Sequence, residues 1–85
     1  MKVRVLVSFK DSVLDPQGQT VKNALLTLGY DGVQAVRQGK VFELQMDGLT
    51  KEDAKKVIPE IANKVLANPI IEKFKWTILD DNGGE

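Results

Sequence analysis

The residue types that most often perform catalysis are missing from this chain. Its 85 residues include no histidine and no cysteine. This rules out a Ser-His-Asp triad, a Cys-His pair, and the imidazole or thiolate ligands of structural zinc. Paired carboxylates occur as Glu52-Asp53, at a predicted helix start favoured by the helix dipole, and as Asp80-Asp81, in the C-terminal tail. Neither pair indicates a catalytic site, so we expect this chain to have no catalytic residue, metal ligand or bound cofactor.

A polar turn at residues 15–18 is the first stretch that could make a specific contact. Asp15 before Pro16 is typical of a helix start, because the carboxylate caps free amides and proline takes the first helical position. Those amides could also face an anion or a partner loop. Gly18 costs about 1 kcal/mol relative to alanine inside a first turn, and close approach by another backbone would justify it. The candidates for partner contact here are Asp15, Pro16, Gln17 and Gly18.

The second stretch is Val36-Arg37-Gln38-Gly39-Lys40, which places two cations around a glycine. Cations beside a turn are often simply solvated. They could also bind a phosphate or an acidic partner surface. We therefore add Arg37, Gly39 and Lys40 to the candidates for partner contact.

Composition limits the class of protein. The chain has 12 basic and 12 acidic residues, so it lacks the basic excess that nucleic-acid binding usually requires. No apolar run reaches the 18 residues of a membrane span, and the N-terminus lacks the apolar centre of a signal peptide. We expect a cytoplasmic protein that binds neither nucleic acid nor membrane. A core this small, without disulfides or zinc, favours association with another chain.

The elements that must position these residues follow from hydrophobic periodicity. Val3, Val5 and Val7 alternate with polar residues as in a half-buried strand, and Gly29 suits the left-handed position just past a helix. The predicted elements are a strand at 3–9, a helix at 16–28, strand-like sequence at 33–46, a helix at 50–68 and a strand at 74–78.

Two local features stay open in the sequence. Around Gly39, the segment 33–47 forms either a hairpin or one bent strand, since its apolar residues change phase. Pro59 predicts a kink or two short helices meeting, because proline removes a hydrogen bond inside a helix.

The element order predicts one α+β domain at residues 1–79, followed by a flexible acidic tail at 80–85. We expect an antiparallel sheet of three or four strands with both helices on one face, related to the ferredoxin-like plan. The opposite face would carry Leu6, Val41 and Leu79 among polar residues. A second chain could cover that face or extend the sheet edge.

Three stretches resemble signatures of the PurS family, the small subunits of phosphoribosylformylglycinamidine synthase. The first runs from Val13 to Gly18, the second from Val36 to Lys40, and the third, Leu66-Ala67-Asn68-Pro69-Ile70-Ile71-Glu72, is similar to that family's Leu-Ala-Asn-Pro-Val-Ile-Glu. The resemblance covers residues 2–79. Lys10-Asp11-Ser12 and Pro59 depart from the family pattern.

The resemblance implies a homodimer, or a tetramer, that brings a glutaminase subunit and a large synthetase subunit together. The complex would be a carbon-nitrogen ligase that uses ATP, magnesium and glutamine. It would convert formylglycinamide ribonucleotide to its amidine in purine biosynthesis. The chain itself would be a non-catalytic subunit. Residues alone leave two alternatives: a dimeric regulatory module that binds a small ligand, similar to ACT domains, and a single-strand nucleic-acid binder.

Overall fold

The computed structural model describes residues 1–79, so the predicted tail at 80–85 lies outside the described residues. The chain forms three strands and two helices, with a short π-helical turn after the second helix. Their bounds are β1 Lys2–Phe9, α1 Pro16–Thr27, β2 Gly39–Gln45, α2 Lys51–Ile61, the π-helical turn Ala62–Leu66 and β3 Glu72–Leu79.

The three strands form one antiparallel sheet in the order β2-β1-β3, with β1 at its centre. The segment 33–47 is therefore neither a hairpin nor one long bent strand. Residues 33–38 have no regular structure, and a single strand begins at Gly39. This gives the smaller of the two predicted strand counts.

The register places the alternating apolar residues on one face of the sheet. Val5 lies between Phe42 on β2 and Trp76 on β3, and Val3 lies between Leu44 and Ile78. The valines of β1 are fully buried against Ala54, Ile58 and Ala62. The core is thus one face of the sheet covered by α2 and the turn that follows it.

The other face of the sheet keeps the predicted mixture of apolar and polar residues. Leu6 pairs with Val41, and the exposed fractions of these two residues are 42% and 55%. Arg4 on β1 forms an ion pair with Glu43 on β2 at 2.6 Å. No element among residues 1–79 packs on this face to form part of the core cluster.

Helix α1 begins and ends where the sequence predicts. The side chain of Asp15 caps its start, Pro16 occupies the first turn, and Gly29 follows its end with a φ of +96°. The core cluster of the described residues, however, contains no residue of α1. Val21 on the helix is 41% exposed and Leu28, just after its end, is 73% exposed, while Leu25 is half-buried. The expectation that both helices cover one face holds for α2 and requires correction for α1.

The position of α1 makes the molecule elongated. The radius of gyration is 16.1 Å, compared with about 12 Å for a compact domain of this length. The described chain measures 49 × 32 × 14 Å. The exposed apolar side chains of α1 are therefore not buried by residues 1–79.

Helix α2 starts with a capping box, in which Thr50 and Asp53 each accept a hydrogen bond from the backbone N–H of the other. Pro59 lies inside the helix, which continues to Ile61 and then changes into the π-helical turn. The Ala67 N–H donates to the Ala62 carbonyl oxygen at 2.8 Å. Two helical segments do meet, as predicted, but they meet after Pro59 rather than at it.

Candidate partner-binding site

One carboxylate joins the first two sequence stretches. Asp15 is only 3% exposed. Its Oδ1 accepts a hydrogen bond from the Gly18 N–H at 2.9 Å, and its Oδ2 accepts one from the Gln38 N–H at 2.6 Å. The start of α1 is thereby tied to the residue before β2. These two N–H groups, that of Gln38 first, stabilise the ionised form and lower the pKa of Asp15 below its usual value of 3.8.

Gly18 has a steric reason to be glycine. A Cβ at this position would collide with the carbonyl oxygen of Val36 and lie 2.7 Å from Asp15 Oδ2. The approaching backbone thus belongs to this chain's own second stretch. Asp15 and Gly18 are both buried, so they shape the site from within and present no surface of their own.

Arg37 faces the loop that leads into the first stretch. Its guanidinium donates to the carbonyl oxygens of Lys10 at 3.0 Å and Val13 at 2.9 Å. Beside it, the Gln38 side-chain amide donates to the Gln17 side-chain oxygen at 2.8 Å. Arg37 therefore stabilises the fold of its own chain, although its side chain is exposed.

The third stretch, residues 66–72, brings the side chain of Glu72 close to the first two stretches. Glu72 Oε1 accepts from the Asn68 N–H at 2.7 Å, and Asn68 Oδ1 accepts from the Ile70 N–H at 3.1 Å. The Lys10 N–H donates to the Ile71 carbonyl oxygen at 2.9 Å, which joins the end of β1 to the start of β3. The Asn-Pro turn thus positions a carboxylate as well as ending the helical segment.

All three stretches line one open cavity of about 180 Å³ at the end of the sheet. Gln17 comes from the first stretch, Lys40 from the second and Glu72 from the third. Lys40 Nζ and Glu72 Oε2 lie 4.0 Å apart, and the exposed fractions of the two side chains are 56% and 14%. The lining residues are Val7, Ser8, Phe9, Gln17, Gln38, Gly39, Lys40 and Glu72.

The seven predicted site residues thus divide by position. Gln17, Gly39 and Lys40 line the cavity, and Pro16 and Arg37 are exposed near it. Glu72 was not among the candidates, although it ends the third stretch. The signal that could have identified it is the Asn68-Pro69 turn, which is followed by the start of the edge strand β3 at Glu72.

The described residues offer little other chemistry. Within 1–79, no group of three or more His, Cys, Asp or Glu residues is placed to hold a metal ion. None of the helices in this part of the chain is both long and apolar enough to cross a membrane. The charged groups that line the cavity are one lysine and one glutamate.

These features define a class of protein: a small α+β domain with an open cavity at one end of its sheet and a helix that adds no residue to the core cluster of residues 1–79. Comparison with known proteins gives the family. The family model for PurS, phosphoribosylformylglycinamidine (FGAM) synthase, matches residues 2–80. The chain belongs to the PurS family.

The similarity between this chain and known relatives extends over nearly the whole length of both. The PurS subunit of phosphoribosylformylglycinamidine synthase from Mycobacterium leprae is 46% identical over 78 residues, or 92% of each chain. The structure of Bacillus subtilis PurS has a TM-score of 0.83 at 42% identity and covers 93% of this chain and 98% of that one. The resemblance seen in the sequence is confirmed, and so is the place of the chain among subunits of a purine-biosynthesis ligase.

A solved complex also contains a chain of this fold. The structure of PurLQS from Thermotoga maritima matches with a TM-score of 0.80 at 26% identity, covering 89% of this chain and 93% of that one. The similarity therefore extends to a PurS chain within an assembly.

The collision at Gly18 predicts that Gly18→Ala destabilises the protein by about 1–3 kcal/mol, since the Val36 backbone must move to admit a methyl group. Gly32→Ala is the matched control, because a Cβ at Gly32 meets nothing within 4 Å. Urea denaturation of the two variants measures the difference. Equal stabilities would contradict the role given to Gly18.

The lowered pKa of Asp15 predicts a specific acid sensitivity. A carboxyl whose pKa is lower in the folded state contributes stability above its unfolded pKa, and this contribution is lost as pH falls through the folded value. We expect Asp15→Asn to be less stable than the parent at neutral pH. The difference should begin to shrink as pH falls below the usual value of 3.8, and it should be lost once pH falls through the lower pKa of Asp15 in the folded state. Denaturation midpoints between neutral pH and about pH 2 test this, and a constant difference would contradict it.

Proposed function

We propose that this chain is the non-catalytic bridging subunit of phosphoribosylformylglycinamidine synthase. It holds a glutaminase subunit and a large synthetase subunit together. The match to a chain of PurLQS is the single observation that carries this proposal. The lack of histidine and cysteine in the sequence agrees with it, because the nucleophile and the ammonia chemistry then belong to the other subunits.

The assembled complex would use ATP, magnesium and glutamine to convert formylglycinamide ribonucleotide to its amidine, with none of the three bound by this chain. A protein that joins two others raises their effective concentration and fixes their relative orientation. We propose the cytoplasm as its location, which agrees with a chain free of cysteine.

The ACT-like regulatory module is not favoured as an alternative. The relatives from M. leprae and B. subtilis are PurS proteins, and the chain matches them over more than nine-tenths of its length.

The cavity and its rim are the proposed contact with a larger subunit. Lys40 provides a cation on the exposed side of the cavity, and Gln17 and Gly39 lie beside it. Arg37 lies nearby, but its two bonds to backbone carbonyls make any substitution a test of folding as well. Lys40 is the better position for a test, because its two interactions are with side chains. Its Nζ lies 4.0 Å from Glu72 Oε2 and 5.8 Å from the centre of the Phe42 ring.

The exposed stripe of α1 supports the proposed homodimer. Val21 and Leu28 lie about two helical turns apart and are exposed, Leu25 between them is half-buried, and Leu14 precedes them with an exposed fraction of 71%. Burying such side chains is worth roughly 25 cal/mol per Å². A second copy of the chain would cover the stripe and supply the burial that so small a core lacks.

We predict that Lys40→Met weakens assembly with the glutaminase and synthetase subunits by about tenfold, because a rim cation is lost while the aliphatic stem remains. Lys55→Met on α2 is the control, since Lys55 is 65% exposed and lies outside the cavity. Titration of the purified chains, followed by size-exclusion chromatography, measures assembly. Identical affinities for both variants would remove the cavity from the proposed interface.

We predict that Leu28→Asp shifts the isolated chain towards monomer, because the substitution places a carboxylate in the apolar stripe. Gln19→Asp, at another exposed position of α1, should leave the dimer intact. Sedimentation velocity at several concentrations distinguishes the two variants. A dimer that tolerates both substitutions would place the contact elsewhere.

A further inference from the structure

We propose that the cavity at the end of the sheet is a binding site for a primary carboxamide group. Its two charged groups are Lys40 and Glu72, whose Nζ and Oε2 lie 4.0 Å apart. At this distance opposite charges attract, but no hydrogen bond joins them. The cavity lining therefore presents a donor and an acceptor side by side.

A carboxamide matches this spacing. Its oxygen and nitrogen lie about 2.3 Å apart, as its bond lengths require. With hydrogen bonds of about 2.9 Å that splay outwards, the two partners of such a group lie roughly 3–5 Å apart. The amide oxygen would accept from Lys40 Nζ, and the amide N–H would donate to Glu72 Oε2. Both bonds involve an ionised partner, which makes each stronger than a neutral pair.

Other small groups match less well. A carboxylate would be attracted by Lys40 and repelled by Glu72, and an ammonium group would meet the reverse. An aliphatic group would form no hydrogen bond with either charge, and it would displace the water that solvates them. A neutral group that donates on one side and accepts on the other satisfies both.

The protein holds Glu72 in place before any ligand arrives. Its other oxygen, Oε1, accepts from the Asn68 N–H at 2.7 Å, and its side chain is only 14% exposed. The cavity volume of about 180 Å³ equals roughly six water molecules, enough for an amide and the methylenes that carry it. Phe9, which is half-buried, supplies apolar lining for those methylenes.

A primary carboxamide can come from free glutamine or from an asparagine or glutamine side chain of a neighbouring subunit. The cavity would bind the same carboxamide group in both cases. In the second case the inference adds a chemical identity to the contact surface proposed above. It does not depend on that proposal, because the isolated chain can be tested alone.

Nuclear magnetic resonance titration of the isolated, isotope-labelled chain tests the inference. The probes are propionamide, propionate, which has the same shape, and propylammonium, which is similar in size; they differ in charge and hydrogen bonding and are followed by L-glutamine. We expect propionamide to shift the backbone resonances of residues 38–40 and 72 and to bind about tenfold tighter than either charged probe. Glutamine binding much tighter than propionamide would identify the free amino acid. Equal binding would identify a side-chain amide.

Two variants sharpen the test. Glu72→Gln replaces the acceptor with a donor, so the cavity should then prefer propionate to propionamide. Lys55→Met, outside the cavity, should keep the parent preference. Shifts that are equal for all three probes, or absent up to about 100 mM, would mean that the cavity holds water only and would overturn the inference. Loss of assembly with the partner subunits is measured separately, so failure of the two proposals can be distinguished.

Discussion

The shared carboxylate of Asp15 is the interaction on which the rest of this structure depends. It caps the first turn of α1 and, with its second oxygen, holds the Gln38 N–H at 2.6 Å, just before β2 begins. α1 adds no side chain to the core cluster, so hydrogen bonds fix where it starts relative to the sheet. The buried carboxylate of Asp15 supplies two of them, and the Gln38 amide adds a third through Gln17 at 2.8 Å.

Much of the fold could be predicted from the sequence because the signals are local. Alternation in β1, the Asp15-Pro16 start, the capping box at Thr50 and the glycine after α1 each depend on neighbouring residues only. The position of α1 could not be predicted in this way. An apolar stripe indicates that a helix is covered, but it does not indicate whether the covering surface lies in the same chain.

The site was predictable in part for the same reason. Residue types identified Asp15, Gly18 and Lys40, but the division into buried supports and exposed lining needed coordinates. Gly18 lies against the Val36 backbone of its own chain, and Arg37 donates hydrogen bonds to two carbonyl oxygens. Glu72 was missed because its role arises from the register of β3 beside β1, which pairs it with Phe9. The Asn68-Pro69 turn marks in the sequence where β3 begins, but which strand lies beside β3 is a tertiary fact.

The central position of β1 has a consequence for solution behaviour. With β1 in the middle, β2 and β3 each have one edge unpaired among the described residues, and such edges invite fibrillar stacking. Lys73 and Lys75 alternate along β3 and are exposed. If copies of the chain stacked in register, these lysines would lie next to one another at every layer. Their electrostatic repulsion would oppose amyloid growth, while a specific partner could still bind.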